Sequence, residues 1–363
     1  MIKGKPPNSK IEKQTEDKSS FAYKIKDRLE RLKEKEKQKS FTSDEFQYES
    51  DLYGFDTFLT KKLKQEYKGV KLEKHFAGNN VKNDYGQCYS IVDQLQVKIK
   101  CTDPNKTKKT FLSELQIVNR IGEFYEKKLK REGYKTVNDL LKHQRFCFLA
   151  KEFLEILNEG NGHKLMQWLE RRYSKSHQLV FLSSSFYSME DFIFIDIESL
   201  GLHGYPLFLI GIAYFENQHL KIEQILARDM DEEAAVLAYL NEKTQEKKVI
   251  CSFNGKSFDI PVIKDRMSYY GIEDNLNHPH YDIYHFSNKA FKGKYYNCQL
   301  TTLESELFKV KRKNHVPSFL VPDFYNDYLC SKNIGTLVPI IEHNKQDIIS
   351  TVQIFGKLHE LWG

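Results

Sequence analysis

Hydrophobic and polar positions divide the chain into two parts with different patterns. In the first part, residues 90–99 alternate apolar and polar side chains as a half-buried strand does, and the polar residues 103–109 predict a loop. From residue 113 onward the apolar spacing is helical. It predicts helices at residues 115–131, 137–143, 146–157 and 165–172. We therefore expect residues 46–185 to form a smaller, mostly helical region with a short β element.

The second part, residues 190–363, alternates short apolar runs with amphipathic segments. The apolar runs predict strands at residues 192–198, 207–215, 220–227 and 249–253. The amphipathic segments predict helices at residues 231–243, 283–289, 302–308, 324–330 and 337–361. This alternation of strands and helices predicts an α/β domain.

Positive charge is concentrated at the N-terminus. Residues 1–39 contain thirteen Lys and Arg and seven Asp and Glu, a net +6 that equals the formal net charge of the whole chain. Because this segment is polar, we expect residues 1–45 to be a disordered or helical basic tail. Such a tail either is a solvated arm or strengthens nonspecific binding to nucleic acid by releasing counterions.

Composition excludes several classes of protein. The longest apolar run, residues 206–215, is about half of the roughly 20 residues that a membrane-spanning helix needs. The N-terminus is polar and has no hydrophobic signal region, and the six cysteines lie far apart with no C-x-x-C pair. We therefore predict a cytoplasmic protein with no membrane partner and no nucleotide cofactor. The oligomeric state is left open.

The predicted strand 192–198 carries two carboxylates close to its end. Asp196 and Glu198 are separated by one residue, so they would lie on one face of the strand, roughly 6 to 7 Å apart. Two like charges beside a buried apolar strand are unfavourable unless they are paired or bind a metal. The pattern favours a divalent cation at this position. The alternative is a solvated loop just beyond the strand.

Two further acidic residues lie at positions suited to a shared site. Asp259 falls at a strand-to-helix junction, because Pro261 fits the first turn of a helix. His343 and Asp347 are four residues apart and so share one face of the last predicted helix. Taken singly, Asp259 could be a helix cap and Asp347 a surface carboxylate.

In combination, three segments resemble the acidic motifs of the DEDD group of RNase H-like exonucleases. They are residues 194–202, 253–261 and 343–347. The residues 281–283, 300–304, 312–317 and 343–344 further resemble the YprB-like branch of this group. The resemblance covers roughly residues 190–360. It implies an RNase H-like mixed sheet flanked by helices, with its first three strands in an antiparallel meander.

The resemblance also implies a chemistry. Two Mg²⁺ or Mn²⁺ ions would be held by Asp196, Glu198, Asp259 and Asp347, with Asp196 bridging both ions. Oxygen ligands suit these cations, and two ions about 4 Å apart can position a water and stabilise the leaving 3′ oxygen of a phosphodiester. The implied enzyme is a hydrolase: a 3′–5′ exonuclease acting on DNA or RNA, expected to prefer single-stranded ends.

His343 departs from the common subgroups of this group. One subgroup has Tyr four residues before the last Asp, and the other has His five residues before it. Here a His occupies the four-residue spacing. His343 is therefore either a general base, since imidazole can accept a proton near neutral pH, or a residue that only contacts substrate.

Other positions are candidate substrate contacts. Leu202 resembles a residue that wedges against the terminal base, and Asn254 resembles one that touches the substrate or orients the site. The basic loop of Lys311, Arg312 and Lys313 would contact phosphates, unless it is simply solvated.

Two alternative functions remain open. An inactive RNase H-like adaptor would bind nucleic acid without cleaving it, and an RNase H-like endonuclease or resolvase would use a similar acidic cluster. In the first part of the chain, residues 121–157 resemble a helix-hairpin-helix unit, which can bind a phosphate backbone. Ordinary helix packing with a basic surface explains those residues equally well.

Overall fold

A seven-stranded mixed sheet lies at the centre of the computed structural model, which describes residues 58–201, 204–312 and 316–363. The strands are β1 (Gly78–Asn83), β2 (Gly86–Leu95), β3 (Phe192–Ser199), β4 (Leu207–Glu216), β5 (His219–Leu226), β6 (Val249–Ser252) and β7 (His280–Asp282). Their order is β1-β2-β5-β4-β3-β6-β7. β3, β4 and β5 form an antiparallel meander, whereas β6 and β7 extend the sheet in parallel. The predicted mixed sheet and meander are confirmed.

Helices flank this sheet and also make up most of the chain between β2 and β3. They are α1 (Leu72–His75), α2 (Pro104–Ser113), α3 (Glu123–Arg131), α4 (Cys147–Glu159), α5 (Gly162–Glu170), α6 (Gln178–Leu182), α7 (Glu233–Gln245), α8 (Asp259–Tyr269), α9 (Ile283–Phe291), α10 (Leu300–Leu303), α11 (Val321–Ser331) and α12 (Val338–Trp362). A π-helical segment, Glu304–Phe308, follows α10 directly. Within the described residues, no helix is long and apolar enough to cross a membrane.

The aromatic residues of β3 pack beneath the last helix. Phe192 and Phe194 are fully buried, and their ring centroids lie 5.1 and 5.6 Å from that of Phe355 on α12. Phe and Ile favour strands and bury large apolar surfaces, so this run forms a central strand. The packing fixes α12 across β3 and so positions the acidic residues of both elements.

The helices before β3 share this hydrophobic core. Phe181 on α6 packs against Phe355 and Phe286, with ring centroids 5.5 and 5.1 Å apart. β2 pairs with β5 from Tyr89 to Leu95. The sheet therefore crosses the boundary that we predicted between residues 185 and 190, and residues 60–363 form one compact unit.

Some local predictions were wrong. The predicted loop at residues 103–109 is mostly helix, because the side chain of Asp103 caps the Asn105 N–H at 2.8 Å and Pro104 occupies the first turn. The predicted helix 115–131 is interrupted at Arg120, which has a positive φ of 68°, and α3 begins only at Glu123. The basic tail 1–45 lies outside the described residues.

Candidate active site

Asp196 and Glu198 lie on the part of β3 that β6 does not cover. β6 pairs with β3 only from Phe192 to Phe194, whereas β4 pairs along β3 as far as Ser199. Both carboxylate residues are half-buried, and alternate strand positions place their side chains on one face. Because β6 ends early, one edge of β3 is open beside both acids.

Asp259 lies against this edge of β3, beside Ile197. It is the buried first residue of α8, and its Oδ1 accepts a 3.1 Å hydrogen bond from the backbone N–H of Ile197. This bond gives the Ile197 N–H the partner that β6 does not supply, and a buried N–H without a partner is unfavourable. The strand-to-helix junction thus brings Asp259 next to the acids of β3.

Asp282 holds the turn that leads from β6 to α8. Its carboxylate accepts hydrogen bonds from the backbone N–H groups of Asn254 at 2.8 Å and Lys256 at 3.1 Å. Asn254 has a positive φ of 66°, which Asn tolerates better than most residues. Asn254 is exposed, while its backbone is fixed in the turn.

His343 and Asp347 lie one turn apart on α12. His343 Nε2 is 3.2 Å from Asp347 Oδ2, and Arg312 Nη1 is 2.9 Å from His343 Nδ1. Arg312 Nη1 also lies 3.5 Å from His343 Nε2. A guanidinium group can only donate, so the shorter contact assigns Nδ1 as the acceptor and the ring proton to Nε2, facing Asp347. Both ring nitrogens of His343 are therefore engaged in this arrangement.

Arg312 reaches into the acidic site. Its side chain is 11% exposed, and it donates from Nε and Nη2 to Glu304 at 2.8 and 2.7 Å. Nη2 also donates to Asp347. The guanidinium group thus faces carboxylates of the protein, whereas we had predicted a phosphate contact.

The other predicted substrate contacts are placed only in part. Lys311 is exposed beside Arg312 in the chain. Leu202 and Lys313 lie outside the described residues. Substrate contact by these residues stays a prediction.

Asn344, which is fully buried on α12, fixes the carboxylate of Asp196. Its Nδ2 donates to Oδ2 of Asp196 at 2.8 Å and to the backbone oxygen of the same residue at 3.2 Å. Its Oδ1 accepts from Gln224 Nε2 at 2.9 Å, and Gln224 Nε2 also donates to the Ile341 carbonyl at 2.8 Å. Because a carbonyl can only accept, this chain of bonds determines how both amides face.

Gly211 provides the space for this network. On β4 it lies opposite Asp196 of β3 and Gln224 of β5. A Cβ atom at this position would lie 2.2 Å from Asn344 Oδ1 and 2.1 Å from Ile348 Cδ1. Glycine is therefore required where α12 crosses β4.

Glu304 and Asn344 lie in segments that resemble the YprB-like branch, but sequence reasoning gave neither a role. It gave none to Gln224. The available signal was a polar side chain inside an apolar run, as Gln224 is within the strand predicted at residues 220–227. Such a residue needs a buried hydrogen-bond partner. The identity of that partner depends on packing between elements far apart in the chain.

Burial and mutual repulsion raise the pKa of three carboxyl groups. The pKa of Asp196 lies well above its usual range because burial disfavours the charged form and because Asp347, Asp259 and Glu198 repel it. Burial and the charges of Asp347 and Asp259 likewise raise the pKa of Glu198, which Arg312 opposes. Burial raises the pKa of Asp259 to about 7, although hydrogen bonds from backbone N–H groups lower it in part. The acids therefore interact as one cluster.

The donor chemistry of this cluster fits a divalent cation. Carboxylate oxygens are the ligands that Mg²⁺ and Mn²⁺ prefer, and a cation would relieve the repulsion that raises these pKa values. Within residues 58–201, 204–312 and 316–363, no three His, Cys, Asp or Glu side chains are arranged to hold one metal ion. The four acids share a site without converging on one point, and Arg312 engages Asp347.

Comparison with known proteins places this site in a recognised domain. Residues 193–359 match the family model of the RNase H superfamily. The chain carries an RNase H-like domain. The match begins within β3 and ends in α12, so the RNase H-like domain includes all five predicted catalytic residues, which are Asp196, Glu198, Asp259, His343 and Asp347.

A bacterial relative agrees with the predicted resemblance to the YprB-like branch. The chain is 28% identical over 182 residues to the uncharacterized protein YprB of Bacillus subtilis (strain 168). The alignment covers 48% of this chain and 43% of that protein. The chain thus spans less than half the length of the relative.

A solved structure overlaps this chain only weakly. The overlap with the family B DNA polymerase from the hyperthermophilic archaeon Pyrobaculum calidifontis covers 45% of this chain and 24% of the polymerase. The identity is 15% and the TM-score is 0.35, which is too low to support a statement about function.

Proposed function

We propose that this chain is a metal-dependent 3′–5′ exonuclease that hydrolyses phosphodiester bonds at the ends of DNA or RNA, with a preference for single strands. One observation carries the proposal. Four carboxylates from β3, α8 and α12 share one site in an RNase H-like domain, and three of them have raised pKa values. The 3′–5′ polarity and the preference for single strands follow from the family resemblance.

In this proposal, Asp196, Glu198, Asp259 and Asp347 hold two Mg²⁺ or Mn²⁺ ions. The bound ions would supply an activated water and charge stabilisation for the leaving 3′ oxygen. The protein supplies orientation. Asn344 holds Asp196 through a 2.8 Å hydrogen bond, and Asp259 is fixed against the backbone of β3.

His343 is assigned to orienting Asp347. Its Nε2 proton faces Asp347 Oδ2 at 3.2 Å, while its Nδ1 accepts from Arg312 at 2.9 Å. A general base needs a nitrogen lone pair directed at the proton that it removes. General-base action by His343 would therefore require Arg312 to leave Nδ1.

A labelled-substrate panel tests the function. Single- and double-stranded DNA and RNA, each labelled at one end, are incubated with the full chain and Mn²⁺. A 3′–5′ exonuclease releases a 3′ label at once as a mononucleotide and converts a 5′-labelled strand into a ladder of shorter products. If the wild-type protein shortens no substrate faster than Asp196→Asn, the proposal is wrong.

A covalently closed single-stranded circle separates the alternatives. An exonuclease leaves the circle intact because it has no end, whereas an endonuclease opens it. Binding of labelled strands that persists in EDTA, with no cleavage in Mn²⁺, would indicate an inactive adaptor.

A further inference from the structure

Glu304 is a buried carboxylate beside the acidic site that the proposed function does not use. Its side chain is 1% exposed, and it is the first residue of the π-helical segment after α10. π-helical turns occur frequently at functional sites. The carboxylate accepts two parallel hydrogen bonds from Arg312, 2.8 Å from Nε and 2.7 Å from Nη2, and a third from the hydroxyl of Ser350 on α12.

The remaining donors of Arg312 face the last helix. A guanidinium group carries five N–H groups in one rigid plane, so fixing two of them fixes the direction of the others. Nη2 donates to Asp347 as well as to Glu304, and Nη1 donates to His343 Nδ1 at 2.9 Å. Glu304 therefore determines the plane of Arg312, and that plane determines where Asp347 and His343 are held.

His343 lies next to both Arg312 and Asp347. With its Nδ1 accepting from Arg312, its Nε2 proton faces the second oxygen of Asp347 at 3.2 Å. Oδ1 of Asp347 thus accepts from Arg312, and Oδ2 lies beside a nitrogen of His343, a ring that Arg312 also contacts. The side chain of Arg312 is 11% exposed and already engages three protein groups, which leaves little of it for a phosphate.

We propose that Glu304 and Arg312 are positioning residues that orient Asp347 and His343 for a divalent cation. The inference rests on the proposed function, since it concerns the same acidic site. Arg312 acts through Asp347 and His343, and the phosphate contact that its sequence position suggested is not its role. Glu304 acts one step further away, by holding Arg312.

A second arginine–glutamate pair in the same chain provides a matched control. Arg266 donates to Glu233 from Nε at 2.8 Å and from Nη2 at 2.7 Å, and these side chains are 8% and 2% exposed. Glu233 also accepts from the backbone N–H of Leu207 and from the hydroxyl of Tyr270. The control pair has the same bidentate geometry and a similar burial, and its other contacts are structural.

Mn²⁺ affinity, measured calorimetrically on the full chain without nucleic acid, tests the proposal. The variants are Glu304→Gln and Arg312→Lys, with Glu233→Gln and Arg266→Lys as controls. All four are expected to lower the Tm in EDTA, because each weakens a buried bidentate arginine–glutamate pair. Only the first two should weaken Mn²⁺ binding, by about 10- to 100-fold, which is typical for residues that support metal ligands.

Other results would overturn the proposal. Mn²⁺ affinity in Glu304→Gln and Arg312→Lys that equals or exceeds the wild-type value would contradict positioning. An unchanged Mn²⁺ affinity together with a raised KM for nucleic acid in Arg312→Lys would assign Arg312 to phosphate binding. If either variant does not fold, Ser350→Ala is used instead. It removes one hydrogen-bond donor to Glu304 and leaves the Arg312–Glu304 pair intact. A smaller loss of affinity then supports the proposal, and an unchanged affinity opposes it.

Mn²⁺ binding and nucleic-acid degradation by the wild-type protein distinguish a failure of this inference from a failure of the proposed function. A wild-type chain that binds Mn²⁺ but degrades no nucleic acid would refute the exonuclease and leave the positioning role testable by affinity. A wild-type chain that binds no Mn²⁺ would refute both.

Discussion

Asn344 on α12 donates a 2.8 Å hydrogen bond from Nδ2 to Oδ2 of Asp196 on β3. Gln224 fixes the orientation of the Asn344 amide, so Asp196 meets an N–H donor and not the amide oxygen. This donor lowers the pKa of Asp196, against burial and three neighbouring carboxylates that raise it. The bond therefore favours the charged carboxylate that a cation requires.

Asn344→Asp tests this relationship with a single-atom exchange. The variant replaces the N–H donor by a further carboxylate oxygen beside Asp196, so we expect a loss of about 1–3 kcal/mol in the free energy of unfolding in EDTA. Denaturant unfolding measures it. Asn277→Asp is the control, because Asn277 is exposed and its oxygen would still accept from Lys264. Equal losses in the two variants would show that the added charge, and not the lost donor, is responsible.

Gly211→Ala tests the space beneath α12. The new methyl group would lie 2.2 Å from Asn344 Oδ1 and 2.1 Å from Ile348 Cδ1. Overpacking of this kind destabilises by about 1–3 kcal/mol, and here it also displaces the residue that holds Asp196. We expect lower stability and lower nuclease activity. Wild-type stability and activity in this variant would contradict the close approach of α12 to β4.

Stability without metal should fall as pH rises from about 4 to about 7. The pKa of Asp259 is raised to about 7 in the folded chain, whereas an unfolded Asp titrates near about 3.9. Between these values the folded chain retains a proton that the unfolded chain has released, so rising pH favours unfolding. A series of Tm measurements in EDTA checks this. The Tm of Asp259→Asn should fall less steeply with pH. A Tm that rises through this range in the wild-type protein, but not in Asp259→Asn, would contradict the raised pKa.

Mn²⁺ should reverse this trend. Because a metal binds the deprotonated carboxylate, the Tm increase on adding Mn²⁺ should grow with pH over the same interval. A Tm increase that is independent of pH would indicate that the ion binds elsewhere.

The His343→Gln and His343→Ala variants distinguish orientation from general-base catalysis. A glutamine can accept from Arg312 through Oε1 and donate to Asp347 through Nε2, but it cannot take up a proton near neutral pH. If His343 orients Asp347, the glutamine variant keeps most of the activity and the alanine variant loses about 10- to 100-fold. If His343 is the general base, both variants lose about 10²- to 10⁴-fold. Single-turnover rates on a 5′-labelled strand give the comparison.

The sequence predicted those parts of the fold and site that depend on local pattern. The buried run that ends at Asp196 and Glu198 forms β3, and the Pro261 signal placed Asp259 at the start of α8. Residues 207–215 and 220–227 correspond to β4 and β5. In each case hydrophobic periodicity or a helix-start residue determines the local conformation.

The remaining features depend on tertiary contacts. β7 has only three residues, too few for a periodic signal, and it forms because Asp282 and its neighbours pair beside β6. Arg312 belongs to a basic run that resembles a solvated loop, yet buried Glu304 draws it into the acidic site. The partner of Gln224 lies 120 residues away on α12. No local pattern specifies such pairs.

The most direct test of the central claim is the rate at which a 5′-labelled single strand is shortened at saturating Mn²⁺. The test compares the wild-type chain with variants in which each of the four carboxylates is replaced by its amide. They are Asp196→Asn, Glu198→Gln, Asp259→Asn and Asp347→Asn. We predict that the wild type shortens the strand from its 3′ end and that each variant is slower by more than about a hundredfold. A loss of this size exceeds the loss expected for residues that only support a metal ligand. A wild-type rate that persists in EDTA, or that survives in all four variants, would contradict the account.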